Sequence, residues 1–351
     1  MVHIGIIGTG SISHRHALAV QASPKACLAA VCSTSQDRAD SFAARYGIEK
    51  AYGSLPDLLA DPSVDAVIVT TLNSAHAFIT IEALGAGKHV LCEKPMAINR
   101  HEAQRMVDAA LGGNRLLMMG FTLRFSPAAT AMRQFIDDGM VGPIHYGKVR
   151  ILRRNGFPGG WFGRRELSGG GSLIDLGVHA IDFARWMMGS PDPVSVYGAT
   201  FDRPRGRAGV PQSKTGHAAA GAMDGDTCDV EDLATAMIRF SGGSVLFVET
   251  AFCMDIPEEE DISIELFGEC AGLRLRDTLE VFSQHGGHLT DTAVPLATLG
   301  DSAHNFGNQL AHFVDAIEGA PCLSTALDGL WVQRILDAIY ESARTGHEVR
   351  M

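Results

Sequence analysis

Residues 1–120 carry short, uninterrupted apolar runs that alternate with helical patterns, and no other feature constrains the fold as tightly. The runs fall at 2–7, 27–32, 66–70, 89–92 and 116–119, with helical periodicity at 11–21, 35–46, 75–84 and 100–111 between them. Strands without polar alternation are buried on both faces, as in a parallel sheet sandwiched by helices. Gly47, Gly85, Gly87 and Gly112-Gly113 stand where helix-ending glycines are expected. The pattern predicts an α/β, doubly wound Rossmann domain over 1–122.

Beyond that point the texture changes. Helical patterns at 127–138 and 172–188 flank a strand at 144–152 and a loop rich in Gly, Trp and Arg at 155–171. Strand patterns follow at 194–200, 233–240, 244–252 and 261–267, with weaker ones at 273–276 and 279–282. Helices at 305–317 and 327–342 close the chain. Turns such as Ser241-Gly242-Gly243 predict an open, largely antiparallel sheet with helices on one face, so 123–351 reads as a C-terminal α+β domain. Residues 202–228 lack periodicity and read as a mobile insertion. The 244–252 strand carries large apolar groups on both faces. One face can meet helices; the other predicts a homodimer or homotetramer through the open sheet, with a covering loop as the alternative.

Lys and Arg total 29 against 40 Asp and Glu, a net charge of −11, which argues against nucleic acid or an anionic membrane as the main partner. No apolar run approaches the roughly 20 residues of a membrane span. The seven Cys include no CxxC pair and read as reduced thiols. Without a basic and apolar leader before the first strand, a cytoplasmic location is expected. His14 and His16 have the spacing of a metal pair, but they lie on the helix after a glycine loop, and no metal is expected there.

That loop is Gly8-Thr9-Gly10-Ser11-Ile12-Ser13, at the first strand-to-helix junction. Gly8 permits a tight turn and Gly10 lets the backbone approach a pyrophosphate at the helix N-terminus. Ser13 replaces the usual third glycine with another small residue. These residues predict a bound nicotinamide dinucleotide. At the end of the second strand an acidic residue would favour a free ribose 2′-hydroxyl. Ser33, Thr34 and Arg38 stand there instead and suit a 2′-phosphate, favouring NADP over NAD. A ribose contact from Asp37 and a purely capping role for Ser35 stay open.

Glu93-Lys94-Pro95 ends a buried strand, at the sheet edge where ligands bind. Lys94 there can hold or polarise a substrate oxygen, or merely cap the sheet. In the second half, Asp175 and His179 are four residues apart and share one helix face. A carboxylate beside an imidazole fixes its tautomer and raises its pKa, as proton transfer with a hydroxyl requires; a satisfied structural pair is the alternative.

Together, the Gly8 loop, residues 69–76, 83–95, 169–182 and 337–346 resemble the Gfo/Idh/MocA oxidoreductases across nearly the whole chain. The resemblance implies hydride transfer between a nicotinamide and a secondary hydroxyl or carbonyl of a sugar, cyclitol or related compound. It implies Lys94, Asp175 and His179 as catalytic residues: His179 moving the proton, Asp175 orienting it, and Lys94 holding the reacting oxygen. Thr71, Leu72, Asn73 and His76 match the loop beside the cofactor, and Glu93 is expected near the nicotinamide ribose. Arg124, Arg153, Asn155 and Trp161 are the candidate substrate residues. Arg153-Arg154 and Arg164-Arg165 leave an anionic substrate open. Leu72, Ser74 and Ser33 depart from the family's frequent Pro, His and Asp. A cofactor-binding sensor, or a dehydratase or glycosidase-like enzyme that returns its hydride, are the rival readings.

Overall fold

Strands β1 (Val2–Ile7), β2 (Ala26–Cys32), β3 (Lys50–Tyr52), β4 (Ala66–Val69), β5 (His89–Glu93) and β6 (Leu117–Gly120) pair in parallel in the order β3-β2-β1-β4-β5-β6. In this computed structural model, which describes residues 1–202, 228–295 and 302–351, β4 is buried along its whole length. Helices α1 (Ser11–Ala22), α2 (Gln36–Tyr46), α3 (Leu55–Ala60), α4 (Asn73–Gly85) and α5 (Arg100–Gly113) connect the strands. Their ends follow local chemistry. Ser35 caps α2 and Asn99 caps α5, while Gly47 closes α2 at φ 65°. The strand order reverses between β1 and β4, which opens a crevice at the carboxyl edge of the sheet. Short β3 and α3 had no clear signature in the sequence.

The chain leaves this sheet through α6 (Pro127–Asp137) and β7 (Ile144–Arg153), then passes a short helix α7 (Arg165–Ser168). A π-helical turn (Leu173–Gly177) runs into α8 (Val178–Met187), where an unbroken α-helix was expected. Strands β8 (Pro193–Phe201), β9 (Leu233–Phe240), β10 (Val245–Ala251), β11 (Glu260–Gly268), β12 (Gly272–Leu275), β13 (Leu279–His285) and β14 (His288–Val294) follow. Helices α9 (Ser302–Ile317) and α10 (Ala326–Thr345) precede a two-residue strand, β15 (Val349–Arg350). The second sheet runs β14-β13-β12-β11-β7-β10-β9-β8-β15 and is antiparallel except where β7 meets β10. The insertion expected at 202–228 lies, apart from its end residues, outside the described residues.

One face of this sheet packs on α8 and α10. On β10 Leu246, Val248 and Thr250 point into that core, while Phe247 and Glu249 face outward. The outer face is a mixed surface, a shallow groove lined by Tyr146, Lys148, Arg150, Phe247, Glu249 and Glu265. The closing helices return to the first sheet. α9 shares a core with β1 and α1 through Phe306, Leu310, Phe313 and Val314. Ser324 accepts the Met119 amide at 2.9 Å and donates to the Met119 carbonyl at 2.8 Å, tying the start of α10 to β6.

Candidate active site

The crevice begins at the glycine loop. Gly8 has φ 103° and donates to the Cys32 carbonyl at 2.9 Å; a Cβ there would stand 2.7 Å from the Thr70 carbonyl oxygen. Gly10 caps α1 with no side chain covering the helix end and no acid in the first turn, and a Cβ on it would meet nothing within 4 Å. Free N–H groups facing open space suit a pyrophosphate. Ser13 is fully buried and donates back to the Gly10 carbonyl, so a small residue is needed where the third glycine usually stands. Ser11 lies exposed and Ile12 half-buried beside it.

At the end of β2, the Ser33 and Thr9 hydroxyls are 3.0 Å apart. Ser35 takes the Arg38 amide at 3.4 Å, so its hydroxyl is the helix cap. Thr34, Asp37 and the Arg38 guanidinium are exposed at the same corner. Across the switch point, Thr71 and Leu72 lead into α4. Buried His76 sets Nδ1 2.8 Å from the Pro95 carbonyl and Nε2 3.3 Å from the Thr71 carbonyl. Burial lowers its pKa, so the neutral ring donates once, and the shorter contact is to Pro95. His76 therefore ties the loop after β4 to the one after β5. Asn73 is buried and donates to the Ser168 carbonyl at 2.8 Å.

Glu93 is buried at the end of β5, paired with His16 at 2.8 Å and accepting the Lys94 amide at 3.1 Å. Burial alone would raise its pKa; the His16 hydrogen bond and the charges of His16 and Lys94 outweigh it and hold the carboxyl low. His14 instead contacts the Tyr46 hydroxyl at 2.7 Å, so the two histidines of the HxH spacing serve different partners. Among the described residues no cluster of three or more metal-ligating side chains is present.

The Lys94–Pro95 peptide is cis. Lys94 Nζ lies 2.8 Å from Asp175 Oδ1 and 3.1 Å from the Asp175 carbonyl. Burial opposes ionisation of Asp175, but Lys94 and then Arg153, whose guanidinium is 4.0 Å from Oδ2, hold its carboxyl below the usual range. Asp175 thus serves Lys94, and no Asp175–His179 hydrogen bond forms. The π turn departs from the regular α-helical spacing on which that pairing was expected. His179 keeps Nδ1 buried without a hydrogen-bond partner. Its pKa is lowered to about 3 by burial and then by Lys94, against the expected rise. At neutral pH the ring is uncharged and able to accept a proton.

The candidate substrate residues divide. Arg124 is buried, and its guanidinium is committed to Asp182 at 2.6 and 2.9 Å, to the Leu323 carbonyl at 2.6 Å and to Asp328 at 3.2 Å. Phe121 and Trp186 lie against its planar group. It braces α8 and α10, with its guanidinium nitrogens bonded within the protein. Arg153 lies within reach of Asp175 but spends Nε on Glu260 at 3.0 Å. Asn155 is buried, with Cys253 Sγ 3.7 Å from its Oδ1. Trp161 is half-buried and stacked on Phe162, with centroids 3.9 Å apart.

One contributor escaped the sequence reading. Glu231, fully buried at the entrance to β9, accepts the Gly171 amide at 2.9 and 3.0 Å, the Leu173 amide at 2.9 Å and the Tyr340 hydroxyl at 2.9 Å. A Cβ on Gly171 would collide with the Glu231 carbonyl oxygen, and one on Gly170 with the Tyr340 hydroxyl. The glycine run before Asp175 is therefore shaped around this carboxylate. The signal available beforehand was an acid in an apolar setting, Val230-Glu231-Asp232-Leu233.

A dinucleotide edge, a Lys–Asp ion pair and a neutral histidine thus converge on one crevice. The profile of an oxidoreductase family with an NAD-binding Rossmann fold, Gfo/Idh/MocA, matches residues 2–121, and the profile of that family's C-terminal domain matches residues 129–274. The chain belongs to the Gfo/Idh/MocA oxidoreductase family. It is 31% identical to D-glucoside 3-dehydrogenase of Escherichia coli over 100% of this chain and 97% of that protein. Levoglucosan dehydrogenase of Pseudarthrobacter phenanthrenivorans is 30% identical over 71% of this chain and 67% of that protein. A solved structure of levoglucosan dehydrogenase in complex with NADH and L-sorbose superposes with TM-score 0.87, 26% identity, and coverage of 99% of this chain and 98% of that one. This family member is an NAD(P)-dependent oxidoreductase that moves a hydride between the nicotinamide and a sugar- or cyclitol-type CH–OH group.

Proposed function

We propose that the protein oxidises, or in reverse forms, a secondary hydroxyl on a neutral pyranoside or anhydrosugar, with NADP as the preferred cofactor. The observation that carries this reading is the Lys94–Asp175 pair at 2.8 Å beside uncharged His179. With Nδ1 buried, His179 meets the substrate through Nε2 and takes the hydroxyl proton there. Lys94, anchored by Asp175, holds the same oxygen and stabilises its developing charge. The bound cofactor supplies the hydride acceptor. The Gly8–Gly10 turn and the N-terminus of α1 would hold its pyrophosphate, and Glu93, at the end of β5, would stand on the side of its nicotinamide ribose.

Neutral substrates are favoured because the arginines near the site are engaged with the protein. Arg153 pairs with Glu260 and Arg164 with Glu166, while Arg165 lies over Tyr340 and Arg154 donates to the Pro257 carbonyl. Relatives named for glucosides and levoglucosan point the same way. The NADP preference rests on Ser33, Thr34 and Arg38 at the end of β2, although the superposed levoglucosan dehydrogenase holds NADH. The outward Phe247 and the mixed groove around it support assembly through the open sheet as a homodimer or homotetramer. Absorbance at 340 nm during incubation with NADP⁺ or NAD⁺ and a panel of alkyl glucosides, levoglucosan, myo-inositol and sugar acids tests the reading. Reduction with a neutral glycoside or anhydrosugar, faster with NADP⁺, is expected. Reduction only with sugar acids would overturn the substrate class.

A further inference from the structure

The ion pair at the centre of the site is held from a distance. The run Gly169–Gly171 enters the π turn with φ 84° at Gly169 and no side chains of its own to fix it. The Gly169 amide still closes α7 on the Arg165 carbonyl at 2.8 Å, and the Gly170 amide reaches the Ser168 hydroxyl at 3.4 Å. The amides from Gly171 onward are the ones that need a partner from outside the helix, the ordinary condition of a helix start. Gly171 and Leu173 both give their N–H groups to Glu231, and the Ser172 amide reaches the Glu231 carbonyl at 3.3 Å. The Gly171 carbonyl in turn accepts the Asp175 amide at 3.0 Å. Asp175 then presents both its side chain and its carbonyl to Lys94 Nζ. A continuous chain of hydrogen bonds thus runs from Glu231 through Gly171 and Asp175 to Lys94.

Glu231 is itself fixed. Tyr340 from α10 donates to Oε1, Arg165 stands 3.8 Å from Oε2, and the Arg165 guanidinium lies over the Tyr340 ring. Burial, followed by the adjacent Glu231 charge, raises the Tyr340 pKa, so the phenol stays a donor. Two residues upstream, Asp229 accepts the Arg165 amide at 2.7 Å, so the same short stretch grips both α7 and the glycine run. A buried carboxylate with this many donors is a rigid fixture.

We propose that Glu231, seated by Tyr340, is a positioning residue that sets Asp175 against Lys94. The inference rests on the reading of Lys94 and Asp175 as the reacting pair. Releasing Glu231 lets the glycine run relax, lengthens the Lys94–Asp175 contact and frees the ammonium.

The test follows Lys94 itself. The full-length protein is pulsed with limiting acetic anhydride, and acetylation of Lys94 is read by peptide mass spectrometry against Lys25, an exposed lysine near α9. Asp175→Asn sets the value for a Lys94 that has lost its carboxylate partner and keeps only the Asp175 carbonyl. Glu231→Gln should raise Lys94 labelling by about tenfold, the scale on which losing a supporting hydrogen-bond partner acts on a site group. Tyr340→Phe, which removes only a hydroxyl, should give a smaller rise and keeps the test open if the Gln variant fails to fold. Turnover should fall in the same order while the NADP⁺ dissociation constant stays within about threefold, since no Glu231 contact reaches the glycine loop. Faster labelling in Asp175→Asn with wild-type labelling in both Glu231→Gln and Tyr340→Phe overturns the positioning role. Unchanged labelling in Asp175→Asn itself would overturn the Lys94–Asp175 reading beneath it.

Discussion

Arg124→Met separates a brace from a substrate contact. The substitution removes both hydrogen bonds to Asp182 and those to Leu323 and Asp328, and leaves the Asp182 side chain, 1% exposed, without its counter-charge. Breaking a buried pair from one side costs about 3–5 kcal/mol. An unfolding entropy of about 2.1 cal/mol/K per residue over 351 residues is ~0.7 kcal/mol/K, so Tm should fall by about 4–7 °C if both halves unfold together. The packing of α9 and α10 against α1 and α5 favours such joint unfolding. The loss should also depend on pH. Burial already pushes the Asp182 carboxyl up to about 6, although Arg124 pulls it down. A carboxyl whose folded pKa is raised contributes stability below its unfolded pKa and loses it as pH rises through the folded value. Without Arg124 the folded pKa rises further, so the deficit against wild type should be larger at pH 8 than at pH 5. Calorimetry at both pH values, with KM for the substrate found in the panel, is the assay. A wild-type Tm together with a raised KM would refute the brace and restore Arg124 to the substrate site.

Three further outcomes follow from the same contacts. Ser33→Asp places a carboxylate at the end of β2 and should weaken NADP⁺ binding by at least about tenfold more than NAD⁺, roughly one close charge repulsion; equal effects by titration would remove the NADP argument. His179 is already neutral above about pH 5, because burial and Lys94 hold its pKa to about 3, so kcat/KM for oxidation should show no acidic limb near 6.5. The linked stability has the matching sign: a lowered histidine supports folding above its unfolded pKa and loses that support as pH falls through the window from about 6.5 to 3. A limb near 6.5 that disappears in His179→Asn would contradict the assignment. Light scattering at micromolar concentration should give a dimer or tetramer that Phe247→Glu dissociates; a wild-type monomer would remove the sheet interface.

The first sheet was legible because its strands are continuous apolar runs and its turns carry glycine, both local signals. β3 and α3 were not, since three residues and six give periodicity too little length. β14 was missed for a different reason: as an edge strand it is mostly exposed and has no apolar alternation to read. The π turn is invisible to a 3.6-residue period, and it is what sends Asp175 to Lys94 and leaves His179 alone. Arg124 reads as a candidate substrate residue until Asp182 and Asp328 are brought to it from far along the chain. Glu231 belongs to the same class, its meaning set by Gly171 and Tyr340 across the fold. Local chemistry carried the cofactor edge, and long-range contacts carried the arrangement of the acid, base and cation.

The central claim, that Lys94 acts on the reacting oxygen and not on the cofactor, is tested most directly by Lys94→Ala. Its turnover of the best substrate and its NADP⁺ dissociation constant are to be measured on one preparation. Turnover reduced by at least about 10²-fold with cofactor affinity within a few-fold is predicted, the usual scale for removing a group that stabilises developing charge. Wild-type turnover would contradict the account, as would a loss explained entirely by weakened cofactor binding.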